Sequence, residues 1–296
     1  MAQPSSHTSG PTAPNDDLLS TEDFLSLPRT TLAEHDRGRI ESTRMGAVEL
    51  LVLRFDEAVA VVSRFGAQVL TYRPHAAEPD TLFTSSLAHL DGRAAIRGGI
   101  PVCWPWFGPA AEPQHGWARL HPWDVEALAV DDAGAEVRLG FAHRGGAAGL
   151  TVRLDDALTV ELTHRADPDP ADTGAAVPVT AALHAYLRTG DPTRTTVEGI
   201  GSAPLPIPAA GLDEVYPLTG GSAHRTLTLD DPTLGRRLRI RTDASDAVVW
   251  NPGKPLGDTT PDAHRGFLCV EPTRISRPLA PGDTLRMRLT ADRPGS

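Results

Sequence analysis

Apolar and polar residues alternate at period two along most of this chain. Glu49–Phe55, Ala58–Phe65, Gln68–Tyr72, Val125–Val130, Glu136–Phe141, Leu158–His164, Val177–Leu187, Arg225–Leu229, Arg236–Arg241, Ala247–Asn251, Phe267–Glu271 and Thr284–Thr290 all read as short strands. Turn chemistry separates them, as at Asp131-Asp132-Ala133-Gly134, Asp191-Pro192, Asp230-Asp231-Pro232 and Pro281-Gly282-Asp283. Helical periodicity is nearly absent. The best helical candidate is Thr21–Leu27, where Ser20 precedes Thr21-Glu22-Asp23 in capping-box fashion and Pro28 closes the turn. Twelve or more short strands without a long linker predict an all-β fold, one large antiparallel sandwich with little helix. The 27 glycines and 27 prolines suit a chain that turns this often.

Gln3–Asn15 is rich in Ser, Thr, Pro, Gly and Ala, so residues 1–20 are expected to form a disordered tail and 21–293 a single domain. Residues 1–20 carry no Lys or Arg and no apolar core of a secretory leader, and no apolar run approaches the ~20 residues of a membrane span. A cytoplasmic protein is the expectation. Charge narrows the partners: 28 cationic against 38 acidic residues give −10, which argues against nucleic acid and anionic membranes. Lys254 is the sole lysine, and Pro255 follows it, so no Walker-type phosphate loop exists. Cys103 and Cys269 are too few for a disulfide framework or a Cys-rich zinc site.

Chemistry concentrates in Arg97–Trp123. Four of the five tryptophans fall there, with Arg97, Arg119, His115 and His121, and prolines at 101, 105 and 109 forbid a helix. Aromatic faces suit the C–H faces of a sugar and guanidinium forks suit phosphate or carboxylate, although each tryptophan taken singly could equally anchor the loop. In Ala181–Leu187, Leu183, Ala185 and Leu187 share one strand face while His184 and Tyr186 share the other, so His184 is expected to point to solvent or into a cleft. In Gly266–Pro272, Leu268 and Val270 face one way, and Cys269 and Glu271 the other. A carboxylate closing an apolar strand is either a salt-bridge partner or, with its pKa raised by burial, a usable base. No dinucleotide loop, His-Glu-x-x-His or Gly-x-Ser-x-Gly elbow occurs, and the eleven histidines show no metal-ligand spacing.

Together these segments resemble a known family. Arg97-Gly98-Gly99-Ile100-Pro101 followed by Trp104-Pro105-Trp106-Phe107-Gly108 is similar to the signature of the hexose-6-phosphate mutarotases, or glucose-6-phosphate 1-epimerases, relatives of aldose 1-epimerase. Gln114–Arg119, Leu183–Tyr186, Gly190-Asp191, Val249–Gly253 and Cys269–Glu271 match in family order, and the similarity spans roughly residues 30–290. The resemblance implies a galactose-mutarotase-like β-supersandwich and interconversion of the anomers of glucose 6-phosphate and related hexose 6-phosphates. It implies His184 and Glu271 as catalytic residues, and Arg97, Gln114, His115, Arg119 and Asp213 as substrate-binding residues. Anomer exchange needs one base and one acid, so no metal and no cofactor is expected. The expected partner is a small-molecule hexose 6-phosphate bound by a monomer. Two rival readings are an inactive sugar-phosphate-binding or regulatory protein on the same fold, and a glycoside hydrolase using Glu271 with Asp213.

Overall fold

The strand Arg236–Thr242 shows why this sequence makes sheet. Leu238 and Ile240 are buried while Arg239 and Arg241 are exposed, so every second residue contributes to the core. Its neighbour Thr284–Asp292 repeats the pattern, pairing Ile240 with Leu289. The next strand, Leu158–Arg165, sets Leu158, Val160 and Leu162 opposite Leu289, Met287 and Leu285. The apolar row then continues into Gly146–Leu154. Each fully buried Leu or Val in such a row contributes about 1.5–3 kcal/mol.

The computed structural model describes residues 17–166, 178–219 and 224–292. Among these, twenty strands form three sheets, and every strand ladder is antiparallel. The first sheet takes five consecutive strands between Thr30 and Arg73. The second has nine, running edge to edge through Leu205–Pro206, Thr196–Glu198, Arg225–Asp231, Arg236–Thr242, Thr284–Asp292, Leu158–Arg165, Gly146–Leu154, Gly134–His143 and Asp124–Asp131. The third runs through Leu212–Pro217, Asp246–Asn251, Phe267–Leu279, Val179–Leu183 and Val102–Cys103, with Tyr186–Arg188 also paired to Phe267–Leu279. The largest core cluster draws on all three sheets, for example through Leu53, Leu139 and Val270.

The expected antiparallel all-β architecture is observed. The short helix forms over Thr21–Leu25, two residues shorter than expected, with both arms of the Ser20–Asp23 capping box in place. The expected tail lies outside the described residues as far as 16, and its boundary at 20 is too late. Leu18 is buried and bridges to Ser85, and the Leu19 N–H donates to Thr84 O at 2.8 Å. Residue 293, the expected end of the domain, lies outside the described residues. The single strand expected over Val177–Leu187 is two strands, Val179–Leu183 and Tyr186–Arg188. Both pair with Phe267–Leu279, and the ladder breaks between Ala182, opposite Thr273, and Tyr186, opposite Cys269. His184 sits in that break.

Candidate active site

His184 lies between the two short strands, and Glu271 lies on Phe267–Leu279, the strand with which both of them pair. Leu183, Ala185 and Leu187 enter the main core, and Leu268 and Val270 do the same from the neighbouring strand. The alternate positions, His184, Tyr186, Cys269 and Glu271, therefore share the opposite face, as period two requires. His184 Nδ1 lies 3.2 Å from Glu271 Oε1. His184 is 8% exposed and Glu271 1%, so the histidine expected at solvent or in a cleft is in fact almost closed off.

Burial pushes the Glu271 carboxyl well above its ordinary range; Asp213 pushes the same way and Arg119 opposes. Burial pushes the His184 ring well below its ordinary range, helped by His115, Arg119 and Arg97. Both groups are thus driven toward their uncharged forms, the carboxylic acid and the neutral imidazole.

The Arg97–Trp123 path is pinned over this pair. The His184 N–H donates to Pro101 O at 3.0 Å and the Tyr186 N–H to Gly99 O at 2.8 Å. Gly98 and Gly99 have φ of 112° and 61°, and a Cβ on Gly99 would lie 2.0 Å from Val69 O. Only glycine allows the path to run this close to the first sheet.

Arg97 does not reach into the site unaccompanied. Its Nε lies 3.0 Å from both carboxylate oxygens of Asp258, and its Nη1 donates to the Tyr186 hydroxyl at 2.7 Å. Burial works against the guanidinium charge, but Tyr186 and Asp258 outweigh it and raise its pKa. The Tyr186 ring in turn stacks on His184, centroids 4.8 Å apart and planes 8° from parallel. Trp250 meets His184 edge-on at 5.8 Å, and His115 does so at 5.7 Å.

His115 accepts the Gly108 N–H on Nδ1 at 3.2 Å. Burial, then Arg119 and Arg97, lower its pKa to about 4, so it is neutral at pH 7 with its proton on Nε2. Arg119, on the 3₁₀ turn Ala118–Leu120, donates through Nη2 to the Gln114 carbonyl at 2.8 Å, while its Nε is buried without a partner. The Gln114 residue is exposed, and it is its backbone that meets Arg119. Asp213 is exposed on the edge strand Leu212–Pro217, directly opposite Trp250. With Trp250, Asn251 and Lys254 it lines an open cavity of about 400 Å³.

The structure brings His184, Glu271 and His115 together, and the charges of Arg97, Arg119 and Asp213 act on the acid–base candidates His184 and Glu271. Sequence reasoning missed Asp258, whose contact with Arg97 spans 161 positions and leaves no local signal. The tryptophans divide: Trp104 and Trp123 are fully buried anchors of the loop, while Trp106 and Trp117 are half-buried and meet edge to face at 4.6 Å. Spacing also gave no hint that His184, Cys269 and Glu271 place a nitrogen, a sulfur and a carboxylate oxygen within 4.8 Å of one another. The histidine lies between two short strands and the other two residues on a third, so no motif encodes the set.

Comparison with known proteins decides the family. The family described as aldose 1-epimerase matches residues 49–207, more than half of the chain. The chain belongs to the aldose 1-epimerase family. This epimerase is 30% identical to a Salmonella typhimurium protein provisionally named glucose-6-phosphate 1-epimerase, over 78% of this chain and 85% of that one. An Escherichia coli K12 protein with the same provisional name is 27% identical over 77% of this chain and 84% of its own. In structure, the epimerase superposes on a Salmonella typhimurium mutarotase, also provisionally named, with a TM-score of 0.77 at 23% identity. The match covers 92% of this chain and 99% of that chain, and it establishes the galactose-mutarotase-like fold. Like its family, the epimerase interconverts sugar anomers. No helix among the described residues is long and apolar enough to cross a membrane.

Proposed function

We propose that this epimerase interconverts the α and β anomers of D-glucose 6-phosphate and related hexose 6-phosphates, with Glu271 and His184 as its acid–base pair. The observation that carries the reading is the buried contact of 3.2 Å between His184 Nδ1 and Glu271 Oε1. The pair holds one proton. In the form that starts the reaction, Glu271 is the carboxylate and His184 the imidazolium. Glu271 takes the proton of the C1 hydroxyl, and its electron pair forms the carbonyl as the bond from C1 to the ring oxygen breaks. The ring oxygen takes the proton of His184. The open-chain aldehyde rotates about the C1–C2 bond and closes on its other face, with each proton returning.

Moving the carboxyl proton of Glu271 to His184, 3.2 Å away, turns the uncharged pair into this form, its tautomer. Arg97 and Arg119 supply guanidinium charge for the 6-phosphate in a protein whose net charge is −10. Asp258 occupies Nε of Arg97 and the Tyr186 hydroxyl occupies Nη1, so Nη2 is the part of that fork left for a ligand. The provisional names of the Salmonella and Escherichia coli relatives support the phosphorylated substrate. The hydrolase alternative gains nothing from the geometry, since Glu271 is paired with His184 and Asp213 is exposed on an edge strand. The test is anomer exchange measured by NMR on glucose 6-phosphate and on glucose. A marked preference for the phosphorylated sugar is the expected result, and equal turnover of both would contradict the substrate assignment.

A further inference from the structure

Cys269 has no part in the chemistry above, yet it sits on the same face as Glu271, two residues away. Its sulfur, a His184 nitrogen and a Glu271 oxygen all lie within 4.8 Å of one another. Tetrahedral zinc, with bonds of about 2.0 Å to nitrogen or oxygen and about 2.3 Å to sulfur, sets its ligand atoms roughly 3.3–3.8 Å apart. The 3.2 Å between His184 Nδ1 and Glu271 Oε1 is close to that spacing, and the sulfur has to close by at most about 1.3 Å.

A second observation points to a ligand. His184 Nδ1 and Glu271 Oε2 are both buried without a hydrogen-bond partner. Buried polar atoms are rarely left so, and each that is keeps a lone pair available to a ligand. The donor set is also the right one. Thiolate with imidazole favours zinc and its soft neighbours over magnesium or calcium, which take oxygen. One thiolate and one carboxylate cancel the charge of a dication, as a buried site requires. Three protein ligands leave the fourth position to water or to a sugar hydroxyl.

We propose that His184, Cys269 and Glu271 form a binding site for a thiophilic divalent cation such as zinc, and that the bound ion inhibits the epimerase. Binding exchanges the metal for the thiol proton and for the carboxyl proton where Glu271 carries one. The inhibition, though not the binding, rests on the acid–base reading of His184 and Glu271: the metal occupies the lone pairs that the reaction uses.

The test uses the full chain, stripped with EDTA and dialysed, and cobalt(II) as a spectroscopic probe. One equivalent should produce a thiolate-to-cobalt charge-transfer band in the near ultraviolet, which zinc then displaces. Zinc should stop anomer exchange and EDTA should restore it. Cys269→Ala should retain exchange, lose the band and require at least about 100-fold more zinc for inhibition, since even outer-shell changes cost 10–100-fold in metal affinity. Cys103→Ala, which alters the other buried thiol, should behave as wild type. If Cys269→Ala fails to fold by circular dichroism, Glu271→Gln should weaken cobalt binding by a similar factor with the thiol intact. Absence of the charge-transfer band in the wild type, or equal zinc inhibition of wild type and a folded Cys269→Ala, would overturn the proposal. Exchange activity without metal binding would remove this site and leave the acid–base reading standing. Cobalt binding in a chain with no exchange activity would do the reverse.

Discussion

Tyr186 lies flat against His184, and its hydroxyl accepts a hydrogen bond from Arg97. The ring thus transmits the position of the Asp258–Arg97 ion pair to the imidazole, with centroids 4.8 Å apart and planes within 8°. Tyr186→Phe keeps the stacked ring and removes the acceptor. A hydrogen bond to a charged group is worth about 1.5–3 kcal/mol, so kcat/KM should fall by about 10- to 150-fold with folding intact. Asp258→Asn should lower it similarly, and Asp258→Glu should restore part of the loss. Wild-type kinetics in Tyr186→Phe would separate Arg97 from the histidine.

The two arginines test the phosphate. Charge-assisted bonds from Arg to phosphate contribute roughly 1.5–3 kcal/mol each, so Arg119→Ala should cut kcat/KM on glucose 6-phosphate by about 10- to 150-fold and barely change turnover of glucose. Arg97→Ala should impair both sugars, because it also releases Tyr186, and should impair the phosphorylated sugar more. The measurement is the ratio of the two rates for each variant. An unchanged ratio in both would mean that the guanidiniums orient ring hydroxyls.

The pH profile of kcat/KM should be a bell whose limbs belong to the pair as a unit. On the acid side activity is lost when a second proton charges His184. Burial and three neighbouring groups lower that step, so the limb should lie below the ordinary histidine value of 6.5. On the basic side activity is lost when the shared proton leaves Glu271. Burial and Asp213 raise that step, so the limb should lie well above the ordinary carboxylate value of 4.5. An acid limb at or above 6.5 would contradict the burial argument.

Stability should also depend on pH, with a sign set by the histidines. His115, His143, His164 and His184 all have lowered pKa values, chiefly through burial, and that of His115 falls to about 4. The unfolded chain binds these protons near 6.5 and the folded one only at lower pH, so their contribution is fully present above 6.5. It is lost as pH falls from 6.5 toward 4. Glu271, with its raised pKa, works in the opposite direction, but it is one group against four. Urea midpoints measured across that interval should fall with pH. A rising midpoint would show that the histidines are not held neutral.

Much of this molecule is legible in its sequence because period two is a strong signal. Alternation alone sets Leu268 and Val270 on one face of their strand and Glu271 on the other, and it separates Leu183 from His184 in the same way. Gly146–Leu154 escapes because two glycines and two alanines in a row of five hide the alternation. Packing explains one of them: a Cβ on Gly149 would lie 2.3 Å from the Arg165 guanidinium, which crosses there to bond Glu126. Leu212–Pro217 escapes for another reason. It is an edge strand with three consecutive exposed residues, so neither face repeats. The ends of long-range contacts leave no trace in the sequence, as with Asp258 on Arg97 and Cys269 beside His184. The tryptophans of the central loop mislead for the opposite reason: a chemistry-rich window also needs anchors, and Trp104 and Trp123 are those anchors.

The central claim is that one buried imidazole and one buried carboxyl exchange the anomers, and two-dimensional NMR exchange spectroscopy on glucose 6-phosphate reads it directly. Cross-peak rates between the α and β anomeric protons should rise far above the spontaneous rate with wild-type protein. His184→Ala and Glu271→Gln, each still folded, should lower that enhancement by about 10²–10⁴-fold, the range of positioned acid–base groups. Near wild-type exchange in either folded variant would contradict the account.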